Sequence, residues 1–374
     1  MQLWYSSCVG VQLPNMAETD LRDTGAPAPE PVRHLTPAGS GAAAGLSRRR
    51  WLTLLLLGVL LCLSCLASLF LGSRSLGFED VLKALGGDTS STAYLIIWEQ
   101  RVPRTILGVL CGAALAAAGS LMQTLTRNPL AEPGLLGVNA GAAVTVVLAV
   151  ILFGPLPILP LALAAFIGAV VAVVAVFTLG GLTGQSMARF VLAGVALAAA
   201  LSALNQALLL ANQTAYNEFR FWAAGSLEGR GADILLPIAL LVIPALLLGF
   251  SLVPSLKALS VGAETATSLG VSLVRIHLLT LTAVCLLAAA ATAAIGPITF
   301  VGLAVPFVVR ALVGNHVGWV TLASVLAGPT WLLASDIFAR TFTAPTEIQV
   351  GIVTTLLGGP LFIALMVRRK VEQL

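Results

Sequence analysis

The chain has 374 residues, 58% of them hydrophobic and only 10% charged, with mean hydropathy +0.99 and a formal net charge of +4. Soluble domains carry about a quarter charged residues, so a soluble globule is excluded, and the absence of period-two alternation argues against a transmembrane β-barrel. The composition describes an all-α integral membrane protein.

Residues 1–50 are rich in Pro, Ala, Gly and Ser, without an apolar period, and read as a disordered cytoplasmic tail. They lack the apolar core of a secretory signal. Met16 begins MAETDLRDTG, a second possible start, so residues 1–15 read as an untranslated extension. Apolar runs then follow near 51–72, 105–125, 134–153, 158–180, 190–211, 233–252, 276–295, 297–313, 319–339 and 350–367. A bilayer core about 30 Å thick needs about 20 such residues per helix, so the pattern predicts about ten transmembrane helices over residues 51–370, with 371–374 a short tail. The eighth run is the shortest and is interrupted by Pro297 and Pro306.

Lys and Arg placement orients the chain. With both termini cytoplasmic, thirteen of the twenty Lys and Arg fall inside, with Arg48–Arg50 the dominant anchor, and seven outside. The basic balance therefore follows from topology and calls for no nucleic-acid partner.

The outer stretch WEQRVPR, ending at Arg104, sets Arg101 and Arg104 three apart before the second span. Interfacial anchoring beside Trp98 is one reading. The other is an acidic partner, since the guanidinium fork suits carboxylates. The hairpin TLTRNPLAEPGLLGVNAGAA (124–143) follows that span. Pro129 and Pro133 stop the helix, Arg127 holds its end in the cytoplasm, and Gly134, Gly137 and Gly141 let the third helix start tightly packed. Runs of Gly and Ala in the second and fifth spans permit close helix approach. Gln123, Asn139, Asn205 and Gln206 read as interhelical hydrogen bonds.

The inner loop 254–270 reads as two short helices, Ser255–Ser260 and Ala263–Leu269. Gly262 makes the turn and Gly270 the cap, with apolar faces carried by Leu256, Leu259 and Leu269. It suits a membrane-surface element or a docking element for a soluble subunit; its lone Lys257 argues against strong headgroup binding. The segment GPITFVGLAVP (296–306) breaks regular helix, which a membrane tolerates only where protein or a water-filled cavity satisfies the backbone. In the ninth span Asp336 and Arg340 stand at i,i+4. They form an intrahelical pair, or Arg340 faces an outer partner while Asp336 orients it.

Among the five cysteines, Cys62 and Cys65 have CxxC spacing with no second pair or histidine nearby, and read as small buried residues. No catalytic or metal cluster is suggested by His34, His277 and His316. There is no GxxxxGK[ST] phosphate loop and no mid-helix acidic chain of the kind proton-coupled carriers use. Uphill transport would draw its energy from another chain.

These motifs together resemble the membrane permeases of bacterial ATP-binding-cassette importers for iron–siderophores, haem and vitamin B12. The resemblance covers residues 50–370. It rests on Arg101-Val-Pro-Arg104, Gln123 with the stretch from Arg127 to Gly137, Leu192–Leu197 and Phe221–Leu227. Further matches are Ser268–Gly270, Phe300–Leu303 with Pro306 and Arg310, Asp336–Arg340, Glu347 with Gly351, and Gly358–Phe362. The hairpin looks most like the ferric-siderophore branch, of the enterobactin-permease type.

The resemblance implies the type II importer permease fold and a dimer of identical or homologous permease subunits around a central pathway. It also implies a cytoplasmic ATPase dimer that carries the ATP and Mg, and a periplasmic or lipid-anchored substrate-binding protein. No catalytic residue, metal or cofactor is expected on this chain. Residues matching Arg101, Arg104 and Arg340 face glutamates of the binding protein. The loop with Leu256, Leu259, Gly262, Glu264, Leu269 and Gly270 receives the ATPase. Ser186, Met187 and Ala188 fall at the inner gate. Two departures stand out: the family's Pro-His is here Pro306-Phe307, and its Asp-His-Arg is here Asn315-His316-Val317. Haem and cobalamin are the alternative cargoes. An ion-coupled secondary carrier and a non-transporting scaffold are the competing function classes.

Overall fold

The computed structural model describes residues 40–74, 76–87, 91–180 and 187–368. Two units are distinguished, 1–44 and 45–374. In the former only the start of the first helix is described, and the bundle belongs to the latter. No strand occurs among the described residues. Helix α1 (Ser40–Phe70) is followed by short α2 (Phe78–Leu85) and α3 (Thr92–Leu95), and by a π-helical turn, Ile96–Arg101, that runs into α4 (Val102–Thr126). Next come α5 (Val138–Phe153), α6 (Ile158–Gly180), α7 (Met187–Ala211), α8 (Gln213–Ala223) and α9 (Leu235–Ser251). Short α10 (Val253–Val261) and α11 (Ala263–Ser268) lead to α12 (Leu273–Ile295), α13 (Val301–Val313), α14 (Val317–Thr341) and α15 (Val350–Arg368). Each of the ten expected spans falls on one of these helices. Among the described residues seven helices are long and apolar enough to cross a membrane, while α5, α13 and α15 contribute shorter apolar stretches.

Helices α4 and α12 form the buried centre. Their runs of Ala, Gly and Leu are inaccessible over most of their length. Small residues make this possible, because without a hydrophobic drive between helices in lipid the bundle relies on close contact. A Cβ on Gly112 would meet the Pro329 backbone of α14 at 2.6 Å, and one on Gly141 would meet the Gly168 carbonyl of α6 at 2.3 Å. Helices α1 and α7 instead turn their Leu and Val outward, as lipid-facing or partner-facing helices do.

Of the three shorter apolar helices, α5 and α13 are short for a common cause. A Cβ on Gly302, at the start of α13, would lie 3.1 Å from the Leu115 carbonyl and 3.5 Å from Pro133 Cδ. Leu115 is halfway along α4, so α13 begins at half depth, and the 133–137 hairpin rises to meet it. The 3₁₀ turn Pro133–Leu136 and Gly137, at φ +76, then launch α5. The broken backbone is buried in protein, as the membrane requires. Gln123 Nε2 donates to the Gly302 and Leu303 carbonyls at 3.4 and 3.2 Å, and Ser226 N donates to Ile295 O at 2.8 Å. Asn139 accepts from Thr292 at 3.0 Å. Both Gln123 and Asn139 thus make the expected interhelical bonds, whereas Asn205 Oδ1 has no hydrogen-bond partner among the described residues.

Candidate functional site

The two ends of the bundle differ in chemistry. At the Arg104 end, four segments converge: the C-terminus of α1, the start of α4, the last turns of α14, and the loop before α15. Arg104 Nη2 lies 2.7 Å from Asp336 Oδ1 and its Nη1 2.8 Å from Glu347 Oε2. Arg340 Nε is 3.4 Å from Asp336 Oδ2, the expected i,i+4 pair. Arg340 Nη2 donates to Ser68 O at 3.0 Å and Ser68 Oγ at 2.7 Å. Arg101 donates to the carbonyls of Leu69 at 2.6 Å, Phe70 at 2.9 Å and Arg74 at 2.7 Å. Helix α1 ends there with unsatisfied carbonyls, and a guanidinium is well suited to them.

This geometry differs from three outer arginines all presented to a partner's glutamates. The structure brings Arg101, Arg104 and Arg340 to one end but turns them inward. Arg101 is 4% exposed, Arg340 2% and Asp336 0%. Arg104 and Arg340 meet carboxylates of the same chain, and Arg101 meets backbone carbonyls. Glu347 and Ser68 complete the set. Glu347 appeared only as part of the family resemblance, and nothing in the sequence pointed to Ser68.

Glu347 sits outside the helices. Burial raises its pKa, but Arg104, with a hydrogen bond from Ser73, outweighs this and leaves it below the ordinary 4.5. A carboxylate with a lowered folded pKa stabilises above its unfolded pKa and loses that contribution as pH falls through the folded value. Glu347→Gln is therefore expected to lower stability by about 1–2 kcal/mol at neutral pH. The difference from wild type should shrink as pH falls below 4.5 and vanish below the lowered folded value, read as thermal unfolding of the detergent-solubilised chain across pH.

At the opposite end, α4 stops at Arg127, whose φ of 50° closes the helix. Arg127 Nη2 donates to the Leu259 carbonyl, tying the hairpin to α10. The 254–270 loop does form two short helices, with Gly262 between them and Gly270 at φ +80 after the second. Its contact residues divide, however. Leu256 and Leu259 are buried at 0% and 5% and pack into the bundle, so they are core, not docking surface. Leu269 is 68% exposed, as is Val261 at 73%, and Glu264 also faces out. An apolar helix face has the same pattern whether its cover comes from the same chain or another, which is why the sequence could not separate the two leucines. Ser186 lies outside the described residues. Met187 and Ala188 begin α7, and their side chains lie outside the described set as well. Where the sequence departs from Pro-His, Phe307 packs edge-on against Phe362 of α15 at 5.5 Å, an apolar pair between the two helices. No cluster of metal-ligating residues occurs among the described residues.

The two-helix element at the Arg127 end is the loop the resemblance called for, while the ion-locked Arg104 end and the half-depth start of α13 are features of this structure. The model of the FecCD transport family matches residues 60–368. The chain belongs to the FecCD transport family. It is 43% identical to the ferric enterobactin transport system permease protein FepD of Escherichia coli, over 83% of this chain and 93% of that protein. It is 38% identical to the hemin transport system permease protein HmuU of Yersinia pestis, over 85% and 97%. Among solved structures, an inward-facing metal-chelate type ABC transporter superposes with a TM-score of 0.76 at 27% identity, covering 84% of this chain and 99% of that one. As a FecCD member the chain is an inner-membrane ABC permease subunit and not an enzyme.

Proposed function

We propose that this permease moves a ferric siderophore inward, receiving it from a substrate-binding protein at the Arg104 end and drawing energy from an ATPase dimer at the Arg127 end. The 43% identity to an enterobactin permease over most of both chains carries the cargo reading. The similarity to a hemin permease supports haem as the second reading. Two permease subunits would enclose the pathway, with the exposed flank of α7 available to the second. ATP and Mg belong to the ATPase, with no cofactor on this chain.

The docking role implied for Arg101, Arg104 and Arg340 takes an altered form. Arg104, whose side chain keeps 12% exposure, presents the only accessible guanidinium edge of the three, while Arg101 and Arg340 hold the platform beneath it. Charge reversal at Arg101 would break α1 capping before it tested docking.

The test is co-reconstitution in proteoliposomes with the ATPase and the binding protein, following labelled iron on a panel of siderophores, haem and cobalamin. Uptake should need ATP and all three components. Uptake by this chain alone under a proton gradient would overturn the reading in favour of a secondary carrier. For the coupling element, Val261→Asp with Leu269→Asp should leave the fold intact, because both side chains are exposed. ATPase capture should weaken about tenfold or more, given roughly 1.5–3 kcal/mol per buried apolar side chain. Unchanged ATPase pull-down would remove α10 and α11 from that role.

A further inference from the structure

A cavity of about 190 Å³ opens at the Arg127 end between α4, α10, α13 and the turn before α14. Gln123, Thr124, Arg127, Ser260, Arg310 and Asn315 line it. Its chemistry is one-sided. Among the described residues Arg310 makes a single side-chain hydrogen bond, to Gln123 Oε1, and Arg127 bonds only the Leu259 carbonyl. Among the described residues neither guanidinium has a carboxylate partner. This is the reverse of the Arg104 end, where the buried acids sit on their arginines. Further positive charge surrounds the cavity. Arg49 and Arg50 bond the Ala311 and Val313 carbonyls at the end of α13. Lys257 and Arg50 act on His316, next to the lining Asn315. Arg310 is half-buried, where a charge without a counterion is costly, Arg127 lies exposed at the mouth, and two forks with hydroxyl and amide donors between them match the several acceptor oxygens of a tetrahedral oxyanion.

We infer that this cavity binds a phosphate-class oxyanion, either the headgroup of an anionic phospholipid in the adjoining leaflet or free inorganic phosphate. The level suits a headgroup. Trp51, just after Arg49 and Arg50, packs edge-on at 5.1 Å against Trp319 of α14, between the lining Val317 and Val320. Tryptophans mark the membrane–water interface, and basic pockets between helices on the cytoplasmic side take anionic headgroups. An occupant would bridge the end of α4, α10 and α13, joining the two-helix element to the bundle through its charge.

The test uses the full chain purified in detergent and in nanodiscs. Inorganic phosphate should raise the unfolding temperature saturably, where chloride at equal ionic strength does not, since a ligand of the folded state stabilises it by mass action. Nanodiscs of phosphatidylglycerol with phosphatidylcholine, compared with phosphatidylcholine alone, should give retained phosphatidylglycerol by native mass spectrometry if the headgroup is the occupant. A phosphate response without lipid retention assigns free phosphate. Asn315→Asp and Ser260→Asp place a carboxylate at exposed positions on the mouth and should keep the fold while weakening binding about tenfold or more. Arg310→Gln tests the interior. Binding unaltered in all three variants overturns the site. So does the absence of both lipid and phosphate binding, and loss of ATPase capture in Asn315→Asp would then give the cavity to a carboxylate of the partner subunit. None of these readouts depends on cargo, so failure here leaves the transport reading standing.

Discussion

Replacing Asp336 by Asn is expected to destabilise the folded chain by about 3–5 kcal/mol, the penalty for removing one partner of a buried ion pair. Asp336 is fully buried and serves two guanidiniums, Arg104 at 2.7 Å and Arg340 at 3.4 Å. Without it, Arg340 keeps only Ser68, and Arg104 only Glu347. The end then holds three arginines against one carboxylate. The amide of Asn makes matters worse, since its NH₂ can only face a donor. Arg340→Gln should be milder, because it removes a charge from a cluster that already has one cation too many. Unfolding temperature and the fraction of folded chain on size-exclusion would both register the loss. The double variant Asp336→Asn, Arg340→Gln should recover part of it, the mark of coupled sites. If Asp336→Asn unfolds at the same temperature as Glu347→Gln, the network is not what holds this end together.

The same residues mark how far the sequence could be read. Of the paired arginines on the wrong side of the charge balance, Arg104 meets acids, and they belong to its own chain. The acids lie 232 and 243 positions away, on α14 and the loop behind it, and no local pattern connects them to Arg104. Arg101 was harder still, because its partners are backbone carbonyls of α1, which every residue carries. The spans themselves were legible, since bilayer thickness imposes a length that composition reveals. What hydropathy could not say is where an apolar run stops being helix. Runs beginning near 134 and 297 proved to start as buried irregular backbone, with α5 and α13 beginning only at Val138 and Val301. The Gly and Pro residues in those runs announced a break, but its depth came from contacts with Leu115 and Pro133. In the 254–270 loop the helices and the turn were readable, whereas the direction of each leucine was decided by packing against the bundle.

Gly119→Ala should be nearly as damaging, for a reason that involves no charge. The added Cβ would lie 1.8 Å from the Gly302 carbonyl oxygen and 2.5 Å from its carbon. Ordinary contact begins near 3.4 Å, and both obstacles are backbone, so no rotamer change relieves them. Helix α13 would have to move away from α4 by more than an ångström in a bundle packed to crystal density. That movement also strains the bonds from Gln123 to the Gly302 and Leu303 carbonyls, which satisfy the broken backbone at half depth. Overpacking of this kind costs about 3 kcal/mol, and uptake should fall with it, because the displaced element is the junction between the 133–137 hairpin and α13. Gly58→Ala provides the control. It lies in α1 with no atom within 4 Å of the added Cβ, and alanine is favoured over glycine in a helix by about 1 kcal/mol, so its unfolding temperature should hold or rise. Equal stability of the two variants would mean that α13 is not seated against α4 as closely as Gly302 and Gly119 require, and the half-depth start of α13 would have to be given up with it.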